Sequence, residues 1–158
     1  MLKTFDEIIE ITLEHEGGYV HDPNDLGGET NYGIAKRFYP DVDIKNLTKD
    51  QAKDIYKKDY WNKNKVDEIP DDLKHIYFDM CVNQGKGTAV KILQRATNAK
   101  GAGLKVDGGL GPKTIGALDG VELDRVRAYR IKYYADLVTR KPDLEKFYFG
   151  WFRRGLEV

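Results

Sequence analysis

The sequence predicts an all-α protein with, at most, a small β element near residues 19–33. Apolar residues recur at the spacing of one helical face through most of the 158 residues. The two stretches that break this spacing, residues 17–33 and 100–111, each hold five glycines, which is typical of loops or short hairpins. A content of 41% apolar and 33% charged residues is that of a soluble globule, and no apolar run reaches the roughly 18 residues that cross a bilayer.

The helices can be placed from their start and stop signals. Thr4-Phe5-Asp6-Glu7 is a capping box, and it opens a first helix that Gly17-Gly18 ends. A second capping box, Thr48-Lys49-Asp50-Gln51, opens a helix that runs to about Tyr60. The remaining helices are predicted from Pro70 to about Asn83, from about Thr88 to Ala99, from Pro112, from about Glu122 to Arg140, and from Pro142.

The cysteine content and the charge distribution limit the kinds of functional site that the chain can hold. The only cysteine, Cys81, lies in an apolar run, so we expect an inert buried thiol and neither an intrachain disulfide nor a thiolate metal cluster. Residues 1–88 carry 18 acidic and 12 basic side chains, whereas residues 89–158 carry 8 and 14. The basic half can hold an anionic polymer such as a cell wall or nucleic acid. Alternatively, the two halves dock on each other, or scattered lysines and arginines only solvate helices. The charge pattern alone leaves these interpretations open.

Glu16 is the acid of the first helix that is directed along its apolar face. At 100° per residue it lies roughly 20° from Phe5, whereas Glu14 lies about 180° away. An apolar environment favours the protonated form of a carboxyl group, and so does the C-terminal end of a helix. Gly17-Gly18 follows, so another chain can approach the carboxyl closely. These features suit a general acid, and a helix end that frays in solvent is the alternative.

The segment around Glu16 carries a motif of about twenty residues with fixed spacing. Its three parts are Glu16-Gly17-Gly18-Tyr19, Asp22-Pro23-Asn24-Asp25-Leu26-Gly27-Gly28-Glu29-Thr30 and Tyr32-Gly33-Ile34. The motif resembles the catalytic signature of the glycoside hydrolase family 108 N-acetylmuramidases at every position of that signature. The resemblance implies a lysozyme-like helical fold and hydrolysis of the β-1,4 bonds between N-acetylmuramic acid and N-acetylglucosamine in peptidoglycan. It also implies that Glu16 is the general acid.

A second resemblance covers the C-terminal part of the chain. Leu93-Gln94-Arg95-Ala96, the glycine-rich segment 106–114 and Gly150-Trp151-Phe152-x-Arg154 look like the peptidoglycan-binding-type segment that is often fused behind this catalytic region. We therefore expect a muramidase catalytic region at residues 1–88. A peptidoglycan-binding-like helical segment at residues 89–158 is expected to pack on it.

Glycosidases usually need a second group beside the general acid. Asp25 and Asp22 are the nearest acidic candidates, although Asp-Pro and Asn-Asp sequences also form turns in which the side chain caps its own backbone. Thr30 is another candidate, because a hydroxyl can hold the attacking water without acting as a base. The sequence leaves these alternatives open, and with them the choice between inversion and retention.

Four further residues are candidates for substrate binding. Tyr19 and Tyr32 lie in the motif, where an aromatic face can stack on a sugar ring. His75, Asp79 and Asn83 recur at i, i+4 and i+8 and therefore share one face of the third helix. If that face lines the cleft, Asp79 can act as a third acid and Asn83 can bind an N-acetyl group; a solvent-exposed stripe is the alternative. The histidines have no metal-ligand spacing, so no metal and no other cofactor is expected.

The expected partner is the peptidoglycan glycan strand, and nucleic acid is not expected because only the basic tail favours it. A peptidoglycan-binding protein without catalysis and a lytic transglycosylase are the alternatives to hydrolysis. Lys3 and Phe5-Asp6-Glu7 interrupt any apolar leader, so we expect synthesis in the cytoplasm without a signal peptide. Release to the wall by a holin, as for a phage or prophage endolysin, would then follow. We expect a monomer without stable membrane insertion.

Overall fold

The computed structural model describes residues 2–24 and 28–158. These residues form seven α-helices and one three-stranded sheet, so the predicted mostly-α, lysozyme-like fold with a small β element is confirmed. No helix in this part of the chain is both long enough and apolar enough to span a membrane. The helices are α1 (Phe5–Glu16), α2 (Lys49–Tyr56), α3 (Asp71–Gln84), α4 (Lys86–Asn98), α5 (Pro112–Ala117), α6 (Leu123–Arg140) and α7 (Glu145–Glu157), and the strands are β1 (Val20–His21), β2 (Glu29–Asn31) and β3 (Ile34–Ala35).

The chain divides into two compact units, residues 2–63 and residues 64–158. The first unit contains α1, the sheet and α2, and the second contains α3 to α7. The predicted division into residues 1–88 and 89–158 concerns function, and it stays a prediction.

Helix α1 begins with the predicted capping box. The Thr4 hydroxyl accepts a hydrogen bond from the backbone N–H of Glu7, and the Glu7 carboxylate accepts one from the N–H of Thr4 at 3.1 Å. Backbone donors that have no partner inside the helix are thereby satisfied. The predicted apolar face is buried, with Ile8 and Ile9 fully covered.

The three strands form an antiparallel sheet in the order β1-β2-β3. Thr30 of the central strand is paired with Val20 on one side and with Ala35 on the other. Tyr32 and Gly33 connect β2 to β3, and both have positive φ, 52° and 76°. Two left-handed residues in succession match the twist of a hairpin, but this conformation is uncommon for tyrosine.

Helix α2 begins at the second capping box and differs from the prediction at its end. Instead of running as one α-helix to about Tyr60, the chain changes at Lys57 into a π-helix that ends at Asn62. Trp61 in this segment is 1% exposed and packs edge-to-face on Phe5, with ring centroids 5.4 Å apart. The π-helix thus anchors the end of this segment to the start of α1.

In the second unit, Gln94 organises the glycine-rich segment that follows α4. The side chain of Gln94 is buried, and its amide nitrogen donates to the Asp107 carboxylate at 3.0 Å and to the Thr114 hydroxyl at 3.2 Å. Its amide oxygen accepts from the N–H groups of Asp107 and Gly108. Two of the motifs that resemble a peptidoglycan-binding segment are therefore joined by hydrogen bonds that hold the loop.

Cys81 in α3 is buried, and burial raises the pKa of its thiol to about 12. The thiol is protonated at neutral pH and is a poor nucleophile, as expected from its apolar neighbours in the sequence.

Candidate active site

Glu16 is the last residue of α1, and its side chain is half-buried. Gly17 ends the helix with a φ of 75°, and its N–H donates to the carbonyl of Leu13. Among the described residues, a Cβ atom at Gly17 or Gly18 would meet no heavy atom within 4 Å beyond its own chain neighbours, so open space adjoins the backbone directly after Glu16. A polymer chain can therefore approach this end of the helix without meeting a side chain from either glycine.

Gly33 brings the β2–β3 hairpin against the Glu16 side chain. A Cβ atom at Gly33 would lie 2.8 Å from Oε2 of Glu16 and 2.6 Å from the hydroxyl oxygen of Tyr56. The Tyr56 hydroxyl donates a hydrogen bond of 2.7 Å to the carbonyl of Tyr32, which stabilises the unusual hairpin backbone. The hairpin, the end of α1 and the end of α2 therefore meet at one carboxyl group.

Tyr60 is the second tyrosine at this place. Its ring lies 5.2 Å from that of Tyr56. Burial raises the pKa of Tyr60, and the negative charges of Asp59 and Glu16 raise it further. The Tyr60 hydroxyl is therefore protonated at neutral pH and can donate a hydrogen bond.

The sequence predicts Tyr56 to be helical but gives it no role at the site. It also gives no sign that Gly33 approaches Glu16 closely. The spacing of Tyr56 and Tyr60, i and i+4, shows that the two rings share a helical face. It does not show which surface that face meets.

The candidates for the second catalytic group differ in their surroundings. Asp22 is exposed, and its carboxylate accepts a hydrogen bond of 2.9 Å from the N–H of Asn24. This is the turn-forming arrangement that is the alternative to a catalytic role. Thr30 is half-buried in the central strand. Asp25 lies outside the described residues. The second group stays a prediction with these three candidates.

The two tyrosines proposed as substrate contacts lie beside the same sheet. Tyr19 directly precedes β1 and is 40% exposed, so part of the residue is accessible to a ligand. Tyr32 is half-buried in the hairpin that contacts Glu16. Both stay predictions.

Asp79 requires a correction. It is completely buried, and its carboxylate accepts hydrogen bonds from Nη2 of Arg130 at 2.6 Å and from Nη2 of Arg154 at 3.0 Å. Burial raises the pKa of Asp79, but the charges and hydrogen bonds of the two arginines outweigh burial and hold the pKa below its usual value. A side chain without exposed surface cannot contact a glycan, so we replace the predicted substrate contact and acid role of Asp79 with a structural role.

Asn83 lies one turn further along α3 and is exposed. Its side-chain oxygen accepts a hydrogen bond from the Tyr134 hydroxyl. Its predicted contact with an N-acetyl group stays a prediction. Among the described residues, no group of three or more His, Cys, Asp or Glu side chains is arranged to hold a metal ion.

The close approach at Gly33 can be tested directly. Gly33→Ala is expected to lower the rate of glycan cleavage by about 10²-fold, the cost of misplacing a reacting group by about 1 Å. The new methyl group would displace the Glu16 carboxyl and the Tyr56 hydroxyl. The measurement is the initial rate of release of soluble fragments.

Gly120→Ala is the matched control for that variant. Gly120 lies in the second unit and has the same φ, 76°, but among the described residues its Cβ position has no heavy atom within 4 Å beyond its own chain neighbours. Each substitution places a Cβ atom on a left-handed backbone, which costs about 1–2 kcal/mol, but only Gly33→Ala disturbs the carboxyl of Glu16. Equal losses of activity in the two variants would contradict the assignment.

Comparison with known proteins bears on the whole chain. The family model described as "Glycosyl hydrolase 108" matches residues 9–85, and the model described as "Predicted Peptidoglycan domain" matches residues 88–156. Among solved structures, the chain is similar to that of Brucella abortus SagA, with 30% sequence identity and a TM-score of 0.76. This similarity covers 97% of the present chain and 90% of that chain. A search of the curated proteins found no match.

Proposed function

Because this chain belongs to the glycosyl hydrolase 108 family, we propose that it hydrolyses the β-1,4 bonds between N-acetylmuramic acid and N-acetylglucosamine in bacterial peptidoglycan. The family supports a glycoside hydrolase, and the predicted peptidoglycan domain supports peptidoglycan as its substrate. The bond that is cut and the roles of individual residues are the proposal.

One observation carries the assignment of Glu16 as the general acid. Its half-buried carboxyl lies at the end of α1, against Gly33 and near the hydroxyl of Tyr56, while open space adjoins Gly17. Partial burial limits competition by water, and the adjacent space admits the polymer. A carboxyl group in this setting can donate its proton to an oxygen that leaves a sugar.

The proposed reaction begins with protonation of the glycosidic oxygen by Glu16. The bond between C1 of N-acetylmuramic acid and this oxygen then breaks, and water adds to C1 and passes a proton to an acidic side chain or to solvent, from which Glu16 is protonated again. Asp22, Asp25 or Thr30 would orient or activate that water. A separation of about 6.5–9.5 Å between two carboxyl groups leaves room for the water and predicts inversion, whereas about 5–5.5 Å predicts retention.

Product mass spectrometry tests the reaction type. Purified peptidoglycan treated with the protein is expected to yield soluble fragments with reducing N-acetylmuramic acid ends, each heavier by one water than a 1,6-anhydro product. Fragments with 1,6-anhydro ends would instead establish a lytic transglycosylase. Binding to the wall without any released fragment would leave a peptidoglycan-binding protein.

The route to the wall is a separate part of the proposal. Release by a holin, as for a phage endolysin, predicts that the protein stays with the cytoplasmic fraction until a holin is expressed. Cell fractionation with and without a holin tests this. A monomeric state is likewise a prediction, and size-exclusion chromatography with light scattering tests it.

A further inference from the structure

A concave site lies between helices α4 and α6 of the second unit. Its volume is about 660 Å³, and its lining includes Lys91, Arg95, Lys132, Arg140, Tyr129 and Tyr133. On α4 the lining positions are i, i+3 and i+7, and on α6 they are i, i+3, i+4, i+7, i+10 and i+11. Each helix therefore contributes one continuous face to the site.

The charge of this groove is strongly positive. Among the described residues, Asp136 is the only acidic one in the lining, and it pairs with Lys132 at 2.8 Å. Both side chains of that pair are more than half exposed, so the pair is weak and readily opened. Within residues 2–24 and 28–158, no carboxylate forms an ion pair with Lys91, Arg95 or Arg140.

The cationic face is not required by the packing of the helices. Helix α4 buries Val90, Leu93 and Ala96, and α6 buries Val126 and Tyr134, on other faces. The lysines and arginines of the groove are thus additional to the core. Together with two tyrosine rings, these basic side chains line one concave surface. Basic residues that only solvate a helix would be scattered over its surface instead.

The chemistry of the lining indicates the ligand. Arginine guanidinium groups bind carboxylates through two parallel hydrogen bonds, and lysine ammonium groups supply compact positive charge. Tyrosine combines an apolar face for a sugar ring with a hydroxyl for a hydrogen bond. All lining residues fall within residues 88–156, the segment matched as a predicted peptidoglycan domain.

We propose that the groove between α4 and α6 binds the carboxylate groups of peptidoglycan. The choice of polymer rests on the proposed function. Peptidoglycan carries carboxylates on its stem peptides, and on the lactyl groups of those N-acetylmuramic acid residues that have lost their stem peptide. Binding in the groove would hold the wall on the protein independently of Glu16.

Co-sedimentation with insoluble peptidoglycan, freed of secondary wall polymers, tests the groove. All proteins carry Glu16→Gln so that the wall is not consumed. Adding Lys91→Glu and Arg95→Glu is expected to weaken binding by about tenfold or more, because two charge-assisted contacts are lost and repulsion replaces them. Both residues are exposed, so the fold should be retained, and circular dichroism and the thermal midpoint check this.

Lys105→Glu with Lys113→Glu is the matched control. It changes the net charge of the second unit by the same amount at exposed positions outside the groove, and binding should change by less than about twofold. If the groove variant binds as well as the control, or if the parent itself does not sediment, the proposal is overturned.

Chemical amidation of the wall carboxylates should abolish the difference between parent and groove variant, and a difference that persists on amidated wall also overturns the proposal. Glycan freed of peptides by an amidase exposes lactyl carboxylates alone, and isolated stem peptides present the peptide carboxylates alone, so competition with each identifies the source. Release of fragments by proteins with Glu16 intact is measured in parallel. If the protein cleaves the wall but binds it independently of the groove, only the proposed role of the groove is rejected. If it binds through the groove but does not cleave, only the proposed hydrolysis is rejected.

Discussion

Glu16→Gln is expected to lower the rate of glycan hydrolysis by about 10²–10⁴-fold, because the amide has nearly the size of the carboxyl but no proton to donate to the leaving oxygen. The stability of the protein should not fall, since Glu16 is only half-buried and a neutral side chain suits the C-terminal end of a helix at least as well as a carboxylate. Fragment release and chemical denaturation, measured on the same preparations, separate the two effects.

Glu14→Gln is the control for this substitution. Glu14 lies two residues earlier on α1 and is exposed, and the change in charge is identical. Its activity should stay within about twofold of the wild type, as for a surface change that costs less than about 0.5 kcal/mol. Full activity of Glu16→Gln, or a similar loss in both variants, would reject Glu16 as the general acid.

Asp79→Ala is expected to reduce the free energy of unfolding by about 3–5 kcal/mol. The substitution leaves Arg130, which is completely buried, without its carboxylate partner, and it removes the contact of Arg154 as well. A buried charge without a counter-charge is costly because water no longer solvates it. Urea denaturation monitored by tryptophan fluorescence measures the change.

An exposed Asp–Arg pair provides the comparison. Asp124 pairs with Arg127 at 2.9 Å, but the Asp124 side chain is 90% exposed. Asp124→Ala should therefore cost no more than about 1 kcal/mol. If the two substitutions destabilise the protein equally, the buried ion cluster has no special role in stability.

The stabilising effect of Asp79 is also expected to depend on pH. The two arginines hold the pKa of Asp79 below its usual value, although burial alone would raise it. A carboxyl group whose folded pKa is lowered contributes its stability above the unfolded pKa, about 3.9, and loses it as the pH falls through the folded pKa. The difference in unfolding free energy between wild type and Asp79→Ala should be constant from neutral pH to about 5 and should narrow below about 4. A difference that widens on acidification would contradict the lowered pKa.

Local sequence rules predicted much of the first unit. The capping boxes at Thr4 and at Thr48 each join residues only three positions apart. The local sequence is therefore sufficient to determine where α1 and α2 begin. The placement of Glu16 on the apolar side of α1 follows from helical geometry alone. The change to a π-helix after Tyr56 was not predicted, because nothing in the helical spacing distinguishes it from continued α-helix.

The polar stripe of α3 shows where spacing is insufficient. The sequence places Asp79 and Asn83 on one face, but only the tertiary structure decides what that face meets. The partners of Asp79 are Arg130 and Arg154, 51 and 75 residues later in the chain, and they turn a predicted substrate contact into a buried ion cluster. Pattern analysis reports which residues share a face, and the identity of the opposing face depends on long-range packing.

By itself, the sequence determined the helical class, the helix starts and the motif that places the chain in its family, because capping, helical periodicity and glycine-rich turns act between residues close in the chain. The tertiary structure decided that Gly33 and Tyr56 meet the carboxyl of Glu16, that Asp79 is enclosed, and that basic residues of α4 and α6 share one groove. Those contacts join residues 17 or more positions apart. They form only when helices pack, and packing depends on the shape and charge of every surface at once.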